Sequence, residues 1–266
     1  MKQIIKWWAI CLWTILMGAC DKIDSDNRWT SGGEIAIPEE DQRTVLVEEY
    51  TGQNCINCPQ AAAELKKIAK LYPGKVITVA MHALRTGQAR PELASEAADA
   101  YAAEFQIPSS VPGVMINRQN LGDSKYSQKK ALWSSLIASH VNTPALYRIE
   151  LAATQMNKEK WVDIKVAAHT RTEMPHAATD LGIQLWVVED IRAEQTTLDG
   201  KKTDFFHHNV LRGALNGIKG TDYTVGKDYS LQTALPSSVK EIDNSKIVAF
   251  LLTSLLKKFM KLPSYL

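Results

Sequence analysis

The chain has 266 residues, with 31 lysines and arginines against 29 acidic residues and a formal net charge of +2. Such a balance gives no bulk electrostatic attraction for a polyanion, so the composition argues against nucleic-acid binding. The length suits two domains of modest size, and beyond the N-terminal run described next no stretch is long and apolar enough to be a transmembrane helix.

Residues 1–19 have the features of a secretory signal peptide. Lys2 and Lys6 precede an apolar run at 7–16, which is too short to span a bilayer comfortably. Small residues then lead to Cys20 in a pattern that resembles a bacterial lipobox, with Met17 where leucine is commonest. The resemblance implies cleavage before Cys20 and a membrane anchor of several acyl chains, palmitate among them, on that cysteine. A buried N-terminal helix with a chance cysteine is the alternative.

The segment 20–43 is polar and interrupted by glycine and proline, which predicts a tether between the lipid and the first domain. Asp21, Asp24 and Asp26 make its start acidic. Lipoprotein transport systems read the residues just after a lipidated cysteine. An acidic start fits inner-membrane retention in one sorting code and surface export in another, and the sequence leaves both open.

The next segment combines a strand, a tight turn, a Cys-x-x-Cys pair and a helix. The β-prone run 45–47 leads through a Thr-Gly turn to Cys55 and Cys58, and a helical pattern covers residues 56–71. This order is similar to the opening of a thioredoxin-like unit. A two-residue spacer on the first helical turn lets the sulfurs reach bonding distance, and the helix start favours a thiolate at Cys55, which we expect at the N-cap. Cys58, one turn into the helix, is better shielded and suits the resolving role.

Two other interpretations of this pair are a zinc half-site and a structural disulfide. A structural zinc site normally needs four ligands, and the sequence has neither a second cysteine pair nor a His-x-x-x-His motif, so no metal is expected. Cys11 leaves with the signal peptide and Cys20 carries lipid. Cys55 and Cys58 can therefore pair only with each other within one chain, in an oxidising compartment. A static disulfide between them stays open as an alternative.

Residues 44–142 are predicted to form a thioredoxin-like α/β domain with a parallel βαβ unit. Val111 and Pro112 directly precede a strand, the order in which thioredoxins place a cis-proline that faces the dithiol. The resemblance implies a cis bond here and substrate binding by Val111 and Pro112, whereas a trans turn proline is the alternative. The elements predicted after the dithiol helix are a strand at 75–81, a helix at 91–105, a strand at 114–117 and a helix at 128–140.

Glu49 lies six residues before Cys55, at the spacing of the buried acid that thioredoxins keep behind the dithiol. By that resemblance it exchanges a proton with the resolving cysteine, because burial raises the pKa of a carboxyl group toward neutrality. Glu48 is the adjacent alternative, and strand alternation predicts that only one of the two faces inward. Two solvated glutamates at a sheet edge are the remaining alternative. His82, at the end of the second strand, is expected to be a surface or hydrogen-bonded residue.

After residue 142 the pattern changes to strands at fairly regular spacing, without a helical stretch between them. This spacing predicts an all-β sandwich domain over residues 143–266. The predicted strands are at 146–153, 161–169, 181–189, 204–214, 229–233 and 247–253.

Four features together resemble the outer membrane protein 28-related lipoproteins. They are the lipobox, the sequence E-E-Y-T-G-x-x-C-x-x-C-P at 48–59, the Val111–Pro112 pair, and the C-terminal stretch at 206–212. The family name implies an outer-membrane location, and the resemblance implies a thioredoxin-like domain, whereas the biochemical role of the family is poorly defined. Residues 251–266 depart from the family pattern, because they are apolar and basic without the alternation of a last strand.

Two functions fit these features. In a membrane-tethered thiol–disulfide oxidoreductase acting on protein cysteines, Cys55 exchanges with the substrate, Cys58 resolves the mixed disulfide and Glu49 assists proton transfer, without a cofactor. In a surface binding or adhesion lipoprotein, the β-domain carries the function and the dithiol is structural. The position of the last two cysteines at a helix start favours the first function. The β-domain has no visible catalytic set, which favours the second.

Overall fold

The computed structural model describes residues 43–122, 124–156, 160–171, 178 and 180–253. The predicted signal peptide, nearly all of the tether and most of the divergent C-terminal stretch lie outside these residues. The elements in chain order are β1 (Val45–Thr51), α1 (Cys58–Leu71), β2 (Val76–His82), α2 (Glu96–Glu104), β3 (Gly113–Ile116), α3 (Lys130–Val141), β4 (Tyr147–Met156), β5 (Trp161–Thr170), β6 (Asp180–Thr196), β7 (Lys202–Ala214), β8 (Thr221–Thr224), β9 (Asp228–Ala234) and β10 (Ser245–Leu252).

The fold is mixed α/β and is built on two sheets. Seven strands form the larger sheet in the order β10-β6-β7-β2-β1-β3, with β8 paired to β6, and the smaller sheet has the order β4-β5-β9. The pair β1 and β2 is parallel across α1, as predicted for the βαβ unit, and β3 runs antiparallel to β1. The carboxyl ends of β1 and β2 therefore meet at the edge where α1 begins.

Strand β1 lies between two apolar layers, which is why all seven of its residues are buried. Val45 and Val47 pack against α1 and α3, while Leu46 and Tyr50 face the cluster that includes α2. Successive side chains of a strand point to opposite faces, so burial on both faces leaves no solvated side.

The larger sheet continues across the boundary predicted at residue 143, because β2 pairs with β7 through Ala80 and Val210. In the C-terminal half, the smaller sheet packs against the larger one, with Val162 and Ile164 in the same core cluster as Leu185. Sheet-on-sheet packing, which the strand pattern predicted, is therefore present. One of its two sheets, however, also carries the N-terminal strands. Pairing between strands so far apart in sequence leaves no local pattern to detect.

Two smaller differences have local causes. Helix α2 begins at Glu96 rather than at 91, because Ser95 is extended and its hydroxyl accepts the Ala98 N–H at 3.2 Å as an N-cap. Strand β8 was not predicted, and its four residues are too few to display alternation.

Candidate active site

Cys55 and Cys58 form a disulfide at the start of α1, with their Cα atoms 5.5 Å apart. The N-cap is Asn57 and the helix begins at Cys58, so the prediction that Cys55 is the N-cap residue was wrong. Cys55 instead closes a turn in which its N–H donates to Gly52 O at 3.2 Å and its own carbonyl accepts the Cys58 N–H at 3.3 Å. Cys55 is 6% exposed and Cys58 is 2% exposed, so Cys55 is the more accessible of the two.

The Val111–Pro112 bond is cis, as predicted, and its segment faces the dithiol. The Val111 carbonyl oxygen lies 3.6 Å from Cys55 Sγ, which is a contact rather than a hydrogen bond because a disulfide sulfur has no hydrogen to donate. The Tyr126 hydroxyl supports this segment by donating to Ser110 O at 3.0 Å. At Gly113 a Cβ atom would lie 2.2 Å from Tyr126 Cζ, so a larger residue would displace the Tyr126 ring from this segment.

Glu49 is buried on the face of β1 that α1 and α3 cover. Its Oε1 atom has no hydrogen-bond partner, and desolvation by burial raises the pKa of Glu49 to about 8. Burial, and secondarily the charge of Glu49, raises the pKa of Tyr126, which links Glu49 electrostatically to the residue that supports the Val111–Pro112 segment. A carboxyl group with a pKa near neutrality can both take up and release a proton at physiological pH.

Glu48 is buried as well, so the prediction that only one of the two glutamates faces inward was wrong. It points to the opposite face of β1, where Arg118 Nε donates to Glu48 Oε1 at 2.6 Å. The guanidinium is surrounded by aromatic rings, with ring centroids 4.6 to 5.3 Å from Cζ in Tyr101, Phe105, Trp186 and Phe250. Glu48 is therefore structural. Glu49, by contrast, has no ion-pair partner among the described residues.

The turn before the dithiol packs against the segment that follows β2. Gly52 approaches it so closely that a Cβ atom would lie 2.3 Å from the Gln88 carbonyl carbon. The Asn54 N–H donates to Gln88 O at 2.9 Å, and the Arg90 N–H donates to the side-chain oxygen of Gln53 at 3.0 Å. The dithiol turn is thus held in place by the segment that follows β2.

The end of β6 contributes a second support that sequence reasoning missed. The amide nitrogen of Gln195 donates to the carbonyl oxygens of Cys55 at 3.0 Å and Gly52 at 3.3 Å. Next to it, the Thr196 N–H donates to Gln53 O at 2.8 Å. No local motif marks Gln195, because it reaches the dithiol only through the pairing of distant strands.

His82 is also buried and without a hydrogen-bond partner on either ring nitrogen, so its predicted surface or hydrogen-bonded position was wrong. Its ring packs edge-on against His207 with centroids 5.3 Å apart. Burial, with the nearby His207 and Arg212, lowers the pKa of His82 well below its ordinary value. His82 is therefore neutral at physiological pH. It lies at the carboxyl end of β2, where the His207 ring of β7 packs against it.

Within the described residues, no group of three or more histidine, cysteine, aspartate or glutamate side chains is arranged to hold a metal ion. No helix in the described part of the chain is both long and apolar enough to cross a membrane.

Three solved structures show similarity to this chain. HBP35 of Porphyromonas gingivalis matches with a TM-score of 0.61 at 14% identity, covering 80% of this chain and 70% of that chain. An Agrobacterium tumefaciens protein from a structural genomics programme gives a TM-score of 0.46 at 15% identity, covering 80% and 96%. A domain of the outer membrane lipoprotein Omp28 from Porphyromonas gingivalis gives 0.30 at 23% identity, covering 41% and 78%. The first of these similarities is evidence about the fold alone.

The family comparison is more direct. Among curated protein sequences the comparison gives no match. The family model described as outer membrane protein Omp28 matches residues 98–258, more than half of the chain. The family description supports a location in the cell envelope. The chain belongs to the Omp28 family of outer membrane proteins.

Proposed function

We propose that this protein is a cell-envelope thiol–disulfide oxidoreductase with a thioredoxin-like site at Cys55 and Cys58. The observation that carries the proposal is the 3.6 Å contact between Cys55 Sγ and the Val111 carbonyl oxygen, next to a cis Pro112. This contact places a peptide segment beside the more accessible sulfur. The parallel β1–α1–β2 unit, with the disulfide at the start of α1, supports the thioredoxin-like assignment.

In the proposed reaction, a substrate thiolate attacks Cys55 Sγ and the S–S bond breaks, so that Cys58 leaves as a thiolate. A second substrate thiolate then attacks the substrate sulfur of the mixed disulfide and releases the Cys55 thiolate. The substrate loses two electrons to the Cys55–Cys58 pair, and each step is reversible. Glu49, with its pKa raised to about 8, is the proton donor or acceptor for Cys58, since it lies on the face of β1 that α1 covers.

The test is the capture of partners by cysteine variants in cells. Cys58→Ala is expected to accumulate mixed disulfides through Cys55, because the attack of the Cys58 thiolate on Cys55 Sγ, which is the reverse of the first step and releases the substrate, is lost. Cys55→Ala is expected to accumulate few, since Cys58 is the more buried sulfur. The species are counted on non-reducing gels after acid quenching, and they should disappear on reduction.

The variant with both cysteines replaced by alanine is the matched control for this experiment. Absence of any captured protein with Cys58→Ala, together with failure of the wild type to exchange with a dithiol, would contradict the oxidoreductase function.

The alternative is a binding or adhesion lipoprotein in which the disulfide is structural, and the low exposure of both cysteines favours it. A static disulfide predicts that both single variants lose stability to a similar extent and capture nothing.

We also propose that Cys20 carries the lipid that anchors the protein to the membrane. Cys20→Ala is expected to give a soluble protein or an unprocessed precursor, because the acyl chains are the only membrane attachment that the sequence predicts. Metabolic labelling with palmitate, followed by separation of membrane and soluble fractions, measures both effects. Cys11→Ala is the matched control and should keep the label, whereas label retained by Cys20→Ala would contradict the proposed anchor.

A further inference from the structure

Gln195 joins the C-terminal half of the chain to the dithiol turn. It lies near the end of β6, is 2% exposed, and its side-chain nitrogen lies within 3.3 Å of three carbonyl oxygens. Two of these oxygens belong to the turn that holds Cys55, and the third belongs to Thr196. A neutral side chain on one strand thus contacts the backbone of both ends of the turn from Gly52 to Cys55.

The direction of this side-chain amide is fixed by its partners. All three neighbours are carbonyl oxygens, which accept hydrogen bonds and cannot donate, so the NH₂ group must face them. An amide nitrogen has two hydrogens, so at least one is shared between two oxygens. The two shortest contacts, at 3.0 Å to Cys55 O and to Thr196 O, are the strongest of the three hydrogen bonds.

The Cys55 carbonyl oxygen is the acceptor shared by Gln195 and Cys58. It accepts from Gln195 at 3.0 Å and from the Cys58 N–H at 3.3 Å, so it joins the two cysteines of the pair. The negative end of this carbonyl dipole belongs to the same residue as the sulfur that becomes a thiolate on reduction. A hydrogen bond to this oxygen partly neutralises its negative charge, and so reduces its repulsion of the thiolate. The effect is larger in a buried site, because water screens charges weakly there.

We propose that Gln195 is a positioning residue that holds the Cys55 carbonyl and thereby favours the reduced form of the Cys55–Cys58 pair. This inference rests on the proposed function. Without the amide, the carbonyl oxygen would be left with one weaker donor beside the Cys55 thiolate. The disulfide would then become harder to reduce.

Equilibration with glutathione measures this effect directly. One glutathione thiolate attacks Cys55 Sγ and the S–S bond breaks, so that Cys58 leaves as a thiolate. A second glutathione attacks the glutathione sulfur of the mixed disulfide, releasing the Cys55 thiolate and forming oxidised glutathione. Two electrons pass to the protein, and the two protons lost by glutathione end on the cysteine thiols.

Gln195→Met keeps the length of the side chain and removes the donor. In the full-length protein it is expected to lower the equilibrium constant for reduction by about fivefold, because the amide stabilises the reduced form, with its charged thiolate, more than the disulfide form in which the contact is seen. It is also expected to raise the pKa of Cys55 measured by the pH dependence of alkylation. The matched control is Gln184→Met, on the same strand. Gln184 is also fully buried, but its side-chain nitrogen donates to Asn216 Oδ1 at 3.0 Å and to Gly217 O at 2.9 Å rather than to the dithiol turn. The control is expected to leave the equilibrium constant for reduction and the acid dissociation constant of Cys55 within about twofold of the wild type.

Gln195→Glu is the second variant, because it keeps the shape and replaces the donor by an acceptor. It is expected to shift the equilibrium in the same direction and further, by about tenfold, equivalent to ~30 mV for a two-electron couple. A wild-type protein that exchanges with glutathione, with both Gln195 variants inside the range of the Gln184 control, would overturn the role of Gln195 alone. A wild-type disulfide that does not exchange with glutathione at all would overturn the proposed function, and the role of Gln195 with it.

Discussion

Arg118→Met is expected to lower the free energy of unfolding by about 3–5 kcal/mol, because it leaves the Glu48 carboxylate buried without its counter-charge. The side chains of both residues are 1% exposed and their nearest charged atoms are 2.6 Å apart. The change also removes the cation from within 5.3 Å of four aromatic ring centroids. Urea unfolding of the purified protein, followed by tryptophan fluorescence, measures the loss.

Arg192→Met is the matched control, since Arg192 pairs with Asp204 at 2.8 Å but both side chains are 65% exposed. Exposed ion pairs contribute about 0–1 kcal/mol, so this control should change stability little. Glu48→Leu combined with Arg118→Met should recover most of the loss, because it removes the unpaired charge. Equal losses in the control and in Arg118→Met would contradict the structural role of the buried pair.

Glu49→Gln is expected to stabilise the protein increasingly as the pH rises. The pKa of Glu49 is about 8 in the folded protein, against an ordinary value of 4.5. Below the lower value, both states are protonated and the carboxyl group has no effect. Between the two values the unfolded chain ionises while the folded protein keeps its proton, so wild-type stability falls as the pH rises and levels off above pH 8. A glutamine has no such dependence.

The stability difference between Glu49→Gln and the wild type should therefore be small at pH 4.5 and reach on the order of 3–5 kcal/mol at pH 8. His82 and His207 are present in both proteins, so the opposite pH dependence from their lowered pKa values cancels in this difference. Urea unfolding at a series of pH values gives the curve, with Glu150→Gln as the control, since the Glu150 side chain on β4 is 45% exposed. A difference that stays constant with pH would show that the pKa of Glu49 is the same in the folded and unfolded states, and would contradict a raised pKa.

The same substitution has the opposite effect on the proposed chemistry. Glu49→Gln cannot accept or donate the proton of Cys58, so resolution of the mixed disulfide should slow by about a hundredfold. A variant that is more stable and less active would separate the catalytic role of Glu49 from a packing role.

The sequence alone determined the order of the elements that build the site. A β-prone run, a tight turn and a helical pattern are short-range signals, so they correctly predicted the β1–α1–β2 unit and the position of Cys55 and Cys58 at its turn. The dipeptide before β3 indicated a cis bond at Val111–Pro112 through its resemblance to a known order of elements. These features depend on residues within one element or on its immediate neighbours, and that is why pattern and spacing were sufficient.

Only the tertiary structure decided the electrostatics around this site. Alternation along β1 could say that Glu48 and Glu49 point to opposite faces, but not that both faces are covered. Arg118 follows β3 and pairs with Glu48 of the adjacent strand β1, which leaves Glu49 as the unpaired acid. Gln195 reaches Cys55 O because β2 pairs with β7 and β7 with β6. Contacts of this kind follow from strand order, and strand order depends on long-range packing that no short sequence window contains.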